Sequence, residues 1–369
     1  MLSATNEEKE EERKSVTRPQ AVLLCFNFPI PFFAKSPPPL VEVYNGTKWQ
    51  QPPPELNPFP FPAPDIYGFG LQAADGGRRL YFFGGQKLAE DEPSLHFTWA
   101  LDLESLAARQ NVNINSSSKK QQLKSATKLP PPPPSPPLPW KVKAPMIQAR
   151  HSFASVVVEE EEEKEDSESE DCKKTTKAIY VFGGKYLHLT GEGTNKHRLL
   201  NTCERYDPRT DLWSSIAPLR YARGSSATAT VWYAGQNGSN KTLPRIYVSG
   251  GLDVFPDYNN LKAIVEVYDP QANVWQNLAT PMSSPRSCFA LATFQGRVWA
   301  LGGFNLEVKN IKKFASAESL DPVTGGVWRR EAPLIDPLSR TGHRAVLFNG
   351  GQQQQQQEEL LLVGGNTGK

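Results

Sequence analysis

Cysteine is scarce. Cys25, Cys172, Cys203 and Cys288 are the four in 369 residues, far apart and in no C-x-x-C pair. That excludes a disulfide framework and reads as reduced thiols in an intracellular protein. A dominant charge sign is also missing: 41 Lys and Arg against 39 Asp and Glu leave a net charge of +2, which calls for neither nucleic acid nor an anionic membrane. No apolar run approaches the roughly 18–20 residues that span a bilayer. The first twenty residues are charged and acid-rich, with NEEKEEER over Asn6–Arg13, which argues against a signal or transit peptide. The expected location is the cytoplasm, the nucleus or both, and the sequons at Asn45, Asn115, Asn237 and Asn240 are expected to be unused. Apolar periodicity of helical length is almost absent, so the chain reads as all-β.

What is present is a repeat in two halves. The first half is a short apolar run ending in two glycines: LYFFGG (Leu80–Gly85), AIYVFGG (Ala178–Gly184), RIYVSGG (Arg245–Gly251), RVWALGG (Arg297–Gly303) and LLLVGG (ending at Gly365). The second is a strand, an Asp-Pro turn and a Trp: ERYDPRTDLW (Glu204–Trp213), VEVYDPQANVW (Val265–Trp275) and ESLDPVTGGVW (Glu318–Trp328), with VEVYNGTKW (Val41–Trp49) as a copy standing alone. Glycine permits the positive φ needed where a strand ends against a close neighbour. Asp accepts backbone bonds at a turn start and Pro presets φ at the next position. Tyr206 and Trp213, like Tyr268 and Trp275, are seven apart, which puts both rings on one side of a hairpin. A proline followed five residues on by an arginine closes the unit at Pro145/Arg150, Pro218/Arg223 and Pro281/Arg286; Pro333/Arg340 is two residues longer.

Each unit therefore holds four short strands, here a to d, and one such sheet cannot bury its own faces. Radial stacking of sheets gives a propeller. The b strands number five, as do the c strands, which start near Val41, His96, Thr202, Val265 and Ala317. The chain opens with a c–d pair and ends with an a–b pair, so the two halves are expected to share one blade and close the ring at five blades. Six is the alternative if the apolar stretch Ala21–Phe33 supplies a degenerate strand. Residues 1–40 read as a disordered tail and an apolar, proline-rich arm, and 41–369 as the propeller. Low-complexity insertions fall at 105–139, 159–176, 233–244 and 350–357.

Repeated Gly-Gly, Tyr-Asp-Pro, Trp and Pro-x4-Arg in fixed order, over roughly residues 41–365, resemble the kelch-repeat β-propellers. The resemblance extends to plant kelch and F-box-kelch proteins, although no F-box is recognisable; homopolymer tracts such as Gln352–Gln357 are frequent in plant proteins. It implies a non-catalytic scaffold or substrate-binding adaptor, in some relatives within a ubiquitin ligase.

The insertions all lie in a–b or c–d connections, which share one face of the disc. The opposite face, built from b–c and d–a loops, is left clear and is expected to bind the partner. Its candidate residues are Arg150, Arg223, Arg286, Arg340 and Lys185, with Tyr186, Phe255, Tyr258 and Phe304 as apolar anchors. Kelch domains of known ligand hold acidic peptides with such arginines, so the resemblance implies a protein or acidic-peptide partner. The alternative is a small-molecule, sugar-type enzyme or binding protein working in the central channel. Against it, the five histidines form no pattern: the residues four before His96, His151, His188, His197 and His343 are Glu92, Ile147, Gly184, Gly193 and Ser339, so the Glu-x3-Asp-x3-His iron motif of plant specifier proteins is absent. No catalytic residue, metal site or cofactor is expected, and the oligomeric state is left open between a monomer and an assembly.

Overall fold

The computed structural model describes residues 43–44, 49–50, 66–74, 78–87, 93–102, 140–161, 175–188, 196–234, 242–252, 263–277, 280–307, 310–334, 341–349, 358–363 and 365. Every element among them is a β-strand. A first hairpin joins β1 (Val43–Tyr44) to β2 (Trp49–Gln50). β3 (Ile66–Tyr67) leads into a sheet of β4 (Gly70–Ala74), β5 (Arg79–Phe83), β7 (Thr98–Asp102) and β8 (Lys141–Lys143), while β6 (Gln86–Lys87) turns back onto β3. The next sheet is β9 (Ala154–Glu161), β10 (Thr175–Phe182), β13 (Cys203–Asp207) and β14 (Leu212–Ile216), with a side hairpin of β11 (Lys185–His188) and β12 (Lys196–Leu199). The third is β15 (Ala227–Ala234), β16 (Thr242–Ser249), β17 (Val265–Asp269) and β18 (Val274–Asn277). The fourth is β19 (Ala290–Phe294), β20 (Arg297–Leu301), β23 (Ala317–Leu320) and β24 (Arg329–Glu331), with a side hairpin of β21 (Phe304–Glu307) and β22 (Asn310–Lys313). β25 (Arg344–Asn349) and β26 (Glu358–Val363) pair last.

Each four-stranded sheet is an antiparallel meander in the order a-b-c-d. The a strands β4, β9, β15, β19 and β25 stand side by side in that order, so the sheets radiate as propeller blades. Strand alternation then assigns each side chain to one of two neighbours. On β10 and β13, Ile179, Val181 and Tyr206 pack towards the first blade with Tyr81, Phe83 and Phe153. Ala178, Tyr180, Phe182 and Cys203 pack towards the third with Ile246, Val248 and Tyr268. The core is thus a series of slabs between blades, which is why the b strands carry apolar residues on both of their faces.

Tyr206 lies opposite Trp213, and Tyr268 opposite Trp275, with ring centroids 5.0 and 4.9 Å apart, as the seven-residue spacing requires. Two boundaries move. The acidic segment expected to start at Glu159 gives its first residues to β9, where Glu159, Glu160 and Glu161 lie opposite Lys177, Thr176 and Thr175. Lys177 pairs with Glu159, and Arg205 and Tyr180 both bond Glu160, which neutralises the charge that would otherwise oppose pairing. Likewise β15 and β16 extend through Ala234 and Thr242, leaving 235–241 outside the described residues, as are 103–139, 162–174 and 350–357.

The closing blade departs further from expectation. Four blades are complete, and β25–β26 supplies the a–b half of another. β1–β2 forms a two-stranded sheet of its own instead of joining β26. β1 offers two residues where the c strands of the complete blades offer four or five. The arm Ala21–Phe33 lies outside the described residues.

Cys203 is buried in the slab between the second and third blades, and burial pushes its thiol up to about 12. Only the thiolate is nucleophilic. Iodoacetamide at pH 8 is therefore expected to leave Cys203 unlabelled in the native protein and to alkylate it fully in denaturant, as peptide mapping would record.

Candidate functional site

The clear face is organised by its d–a loops, and the arginines closing each repeat explain how. Arg150 follows the first blade but reaches into the second. Its guanidinium donates to the carbonyls of Gly183 (2.7 Å) and Thr202 (2.8 Å) and pairs with Glu204. Arg223 does the same one blade on, to Gly250 (3.1 Å), Ile264 (3.0 Å) and Glu266 (2.5 Å). Arg286 repeats it to Gly302 (2.9 Å), Ser316 (3.2 Å) and Glu318 (2.7 Å). The carboxylates also reach back to the preceding loop. Glu204 accepts from the amides of Ile147 and Gln148, Glu266 from that of Arg220, and Glu318 from that of Ser283. All six side chains are buried, and burial holds Arg223 and Arg286 below their ordinary range while the paired glutamate opposes it. Each pair is a staple between consecutive blades.

Around the axis, just inside these staples, runs a backbone belt. Ser152 donates its amide to the Gly68 carbonyl (2.7 Å), Ser225 to Ser152 (2.6 Å), Cys288 to Ser225 (3.1 Å) and Gly342 to Cys288 (2.7 Å). All five residues have left-handed backbone, with φ of 51°, 56° and 50° at Ser152, Ser225 and Cys288. A bulky residue rarely adopts that conformation, so its recurrence at one position of successive junctions is a structural requirement.

Comparison with known proteins places the repeat. The Kelch motif family matches residues 177–220 and 244–282, which hold most of the b strand and all of the c and d strands of the second and third blades. Kelch-like protein 36 of Bos taurus is 28% identical over 155 residues, 41% of this chain and 22% of its own length. Alpha-scruin of Limulus polyphemus is 30% identical over 151 residues, 40% of this chain and 14% of its own. Human Kelch repeat and BTB domain-containing protein 12 is 29% identical over 136 residues, 34% of this chain and 20% of its own. This chain carries kelch repeats. Its matches span about a fifth or less of the length of these relatives.

Within the kelch ring, the expected binding residues divide. Arg150, Arg223 and Arg286 are committed to the staples and have no accessible guanidinium, which corrects the expectation that they hold a partner. Phe304 is likewise buried, in a bridge to Ser287, and does not stand out as an anchor. Lys185 and Tyr186 are half-buried at the start of β11, with Tyr186 opposite the exposed Arg198. Arg340, Phe255 and Tyr258 lie outside the described residues. His151 precedes the belt residue Ser152, whereas His343 follows Gly342, so the two histidines stand two places out of register. His151 is buried with Nδ1 3.0 Å from Ser94 Oγ, which accepts from the Leu187 amide and so ties together two b–c loops. Among the described residues, no three His, Cys, Asp or Glu side chains are grouped to hold a metal.

Two features of the kelch ring escape a single-repeat reading. Tyr206 donates to Asp211 (2.7 Å) and Tyr268 to Asn273 (2.8 Å), and these two turn residues also accept from the Ala144 and Ala217 amides of the preceding blade. The indole N–H of Trp213 and of Trp275 donates to the same two alanines' carbonyls. In the fourth blade Leu320 replaces the tyrosine and has no hydroxyl to place, and Gly325 replaces the acceptor. Similarly, at the junction entering the first blade, Ile66 stands at the arginine position and Trp99 at the glutamate position. Both are buried in one apolar cluster with Phe82 and Trp140. Each exchange removes both members of a polar pair together.

Proposed function

We propose that this kelch ring is a non-catalytic interaction scaffold that offers its b–c and d–a loop face to a protein or acidic-peptide partner, as the substrate-binding part of a ubiquitin-ligase assembly. The observation that carries the reading is the rigid seat under that face. The staples and the belt fix every described d–a loop, and β11–β12 and β21–β22 stand on that seat as b–c hairpins. Loops held on a rigid base recognise a partner without a large ordering cost. A relative whose name joins kelch repeats to a BTB domain supports the adaptor part of the reading.

The test uses residues that no staple needs. Full-length protein and a Tyr186→Ala/Arg198→Glu variant are compared by affinity capture and quantitative mass spectrometry, with matched circular dichroism and melting curves. A partner retained by the wild type and depleted at least tenfold by the folded variant is the expected result. An unchanged partner set sinks the assignment of this face.

A further inference from the structure

Replacing the tyrosine and the turn acceptor by Leu320 and Gly325 removes two parts of a three-part tie and leaves the third. In the second and third blades the indole N–H of Trp213 and of Trp275 donates to the preceding blade, to the carbonyls of Ala144 (3.0 Å) and Ala217 (2.6 Å). Trp328 holds the equivalent place in the fourth blade. It is only 5% exposed, and its indole nitrogen has no hydrogen-bond partner. A buried donor left unpaired is costly, and native structures seldom keep one. The lost acceptor has a plain cause. Asp211, Asn273 and Gly325 are the same left-handed turn residue, with φ of 55°, 53° and 61°. Only the side chain differs, and a Cβ at Gly325 would meet nothing within 4 Å. Thr280 precedes its proline as Ala144 and Ala217 precede theirs, and Gly325 offers its amide no acceptor.

The surroundings of this turn also differ. Val323 and Val327, at 78% and 76%, are the most exposed large apolar side chains among the described residues. The second and third blades have Arg209 and Gln271 where Val323 stands. Arg330 follows Trp328 by two residues, which in an extended chain puts both on one face about 7 Å apart. Its side chain is exposed and in no ion pair with a described residue. Glu318 lies opposite Arg330 but is buried and paired with Arg286. Tyr233 of the third blade ties the junction from within, donating to the Pro322 carbonyl (3.0 Å), so the blades are joined without the turn side chain.

We propose that the c–d turn of the fourth blade is an interaction site for a partner protein, taking an aspartate side chain flanked by apolar residues. The carboxylate enters beside Gly325, in the place of the Asp211 side chain. It accepts from the Trp328 indole and the Thr280 amide and pairs with Arg330, while its apolar neighbours cover Val323 and Val327. An ionised acceptor forms stronger bonds with these donors than a neutral one, and covering the two valines removes apolar surface from water. The c–d turns lie on the face opposite the b–c and d–a loops, so the site does not depend on the partner-binding reading.

The test is an NMR titration of the full chain, with isotope-labelled tryptophan, by the peptide acetyl-Leu-Asp-Leu-amide and its asparagine analogue at matched ionic strength. The Trp328 indole resonance is the one lost in Trp328→Phe. The aspartate peptide is expected to move it downfield saturably while the other indole resonances stay in place. Leu320→Tyr/Gly325→Asn rebuilds the tie of the third blade and is expected to keep or raise Tm and to abolish the response. Arg330→Met covers the case in which the rebuilt variant does not fold: it has no partner to lose, should keep the starting Tm, and should weaken the aspartate peptide about fivefold. An unmoved Trp328 resonance in the wild type overturns the proposal, as does an equal shift in the folded, rebuilt variant or undiminished binding in Arg330→Met. Equal responses to the two peptides overturn the choice of a carboxylate.

Discussion

Arg223→Met is expected to lower the unfolding free energy by about 3–5 kcal/mol, the cost of leaving a buried carboxylate without its partner. The reasoning rests on what remains. Glu266 stays fully buried, and its other described bond is to the Arg220 amide. The carbonyls of Gly250 and Ile264 lose a donor in the same step. A leucine at position 266 removes the stranded charge, so Arg223→Met/Glu266→Leu is expected to be more stable than Arg223→Met alone by about 1–2 kcal/mol, even though it carries one more substitution. The protein already contains a version of this experiment: the junction into the first blade uses Ile66 and Trp99 in place of the ion pair, and both are buried. Urea denaturation of the wild type, the two single variants and the double variant supplies the cycle. Additive losses would mean that Arg223 and Glu266 are not coupled and that the staple is not a unit.

The second large effect is at Gly250. Its backbone has φ of 66°, and a Cβ placed there would lie 2.4 Å from the Arg286 carbonyl oxygen and 2.5 Å from Phe289 Cε1. Left-handed backbone alone costs a non-glycine residue about 1–2 kcal/mol. Here the obstruction is main chain belonging to the next staple, so relief requires the junction to open. Gly250→Ala is expected to destabilise by about 3 kcal/mol or more. Gly325 is the matched control. Its φ is 61°, and an added Cβ would meet nothing within 4 Å. Gly325→Ala should therefore cost about 1 kcal/mol, the backbone term alone. Melting curves of the two variants separate conformation from crowding, and equal losses would show that contact across the junction is unimportant.

The blade was legible in the sequence because its signals are local. The Gly-Gly strands, the Tyr-to-Trp hairpins and the strand order all fall within one repeat, and each is found where its spacing placed it. The staples were half legible. Pro-x4-Arg marked the arginines, but charged loop residues are ordinarily solvated, and their partners lie in the next repeat. The signal that names the partner is a glutamate two residues before the Tyr or Leu of each c strand: Glu204, Glu266 and Glu318, one for each of Arg150, Arg223 and Arg286. Its absence from the first blade, where Trp99 stands, coincides with the absence of the arginine. The pairing is readable only by comparing one repeat with its successor. The belt left less trace still. Its residues are Gly, Ser, Ser, Cys and Gly, because what joins them is main chain and the side chain takes no part.

That indifference gives the ring an evolutionary property. Where a junction is tied by side chains, substitution must come in compensated pairs, as Ile66 with Trp99 or Leu320 with Gly325. Where it is tied by main chain, single substitutions are tolerated as long as the residue accepts left-handed backbone. Apart from Gly68, where a Cβ would lie 2.7 Å from the Ser152 amide nitrogen, the belt positions are therefore four addresses around one axis at which a lineage can install or withdraw a functional group, one at a time, while the architecture stays fixed. Cys288 occupies one of these addresses.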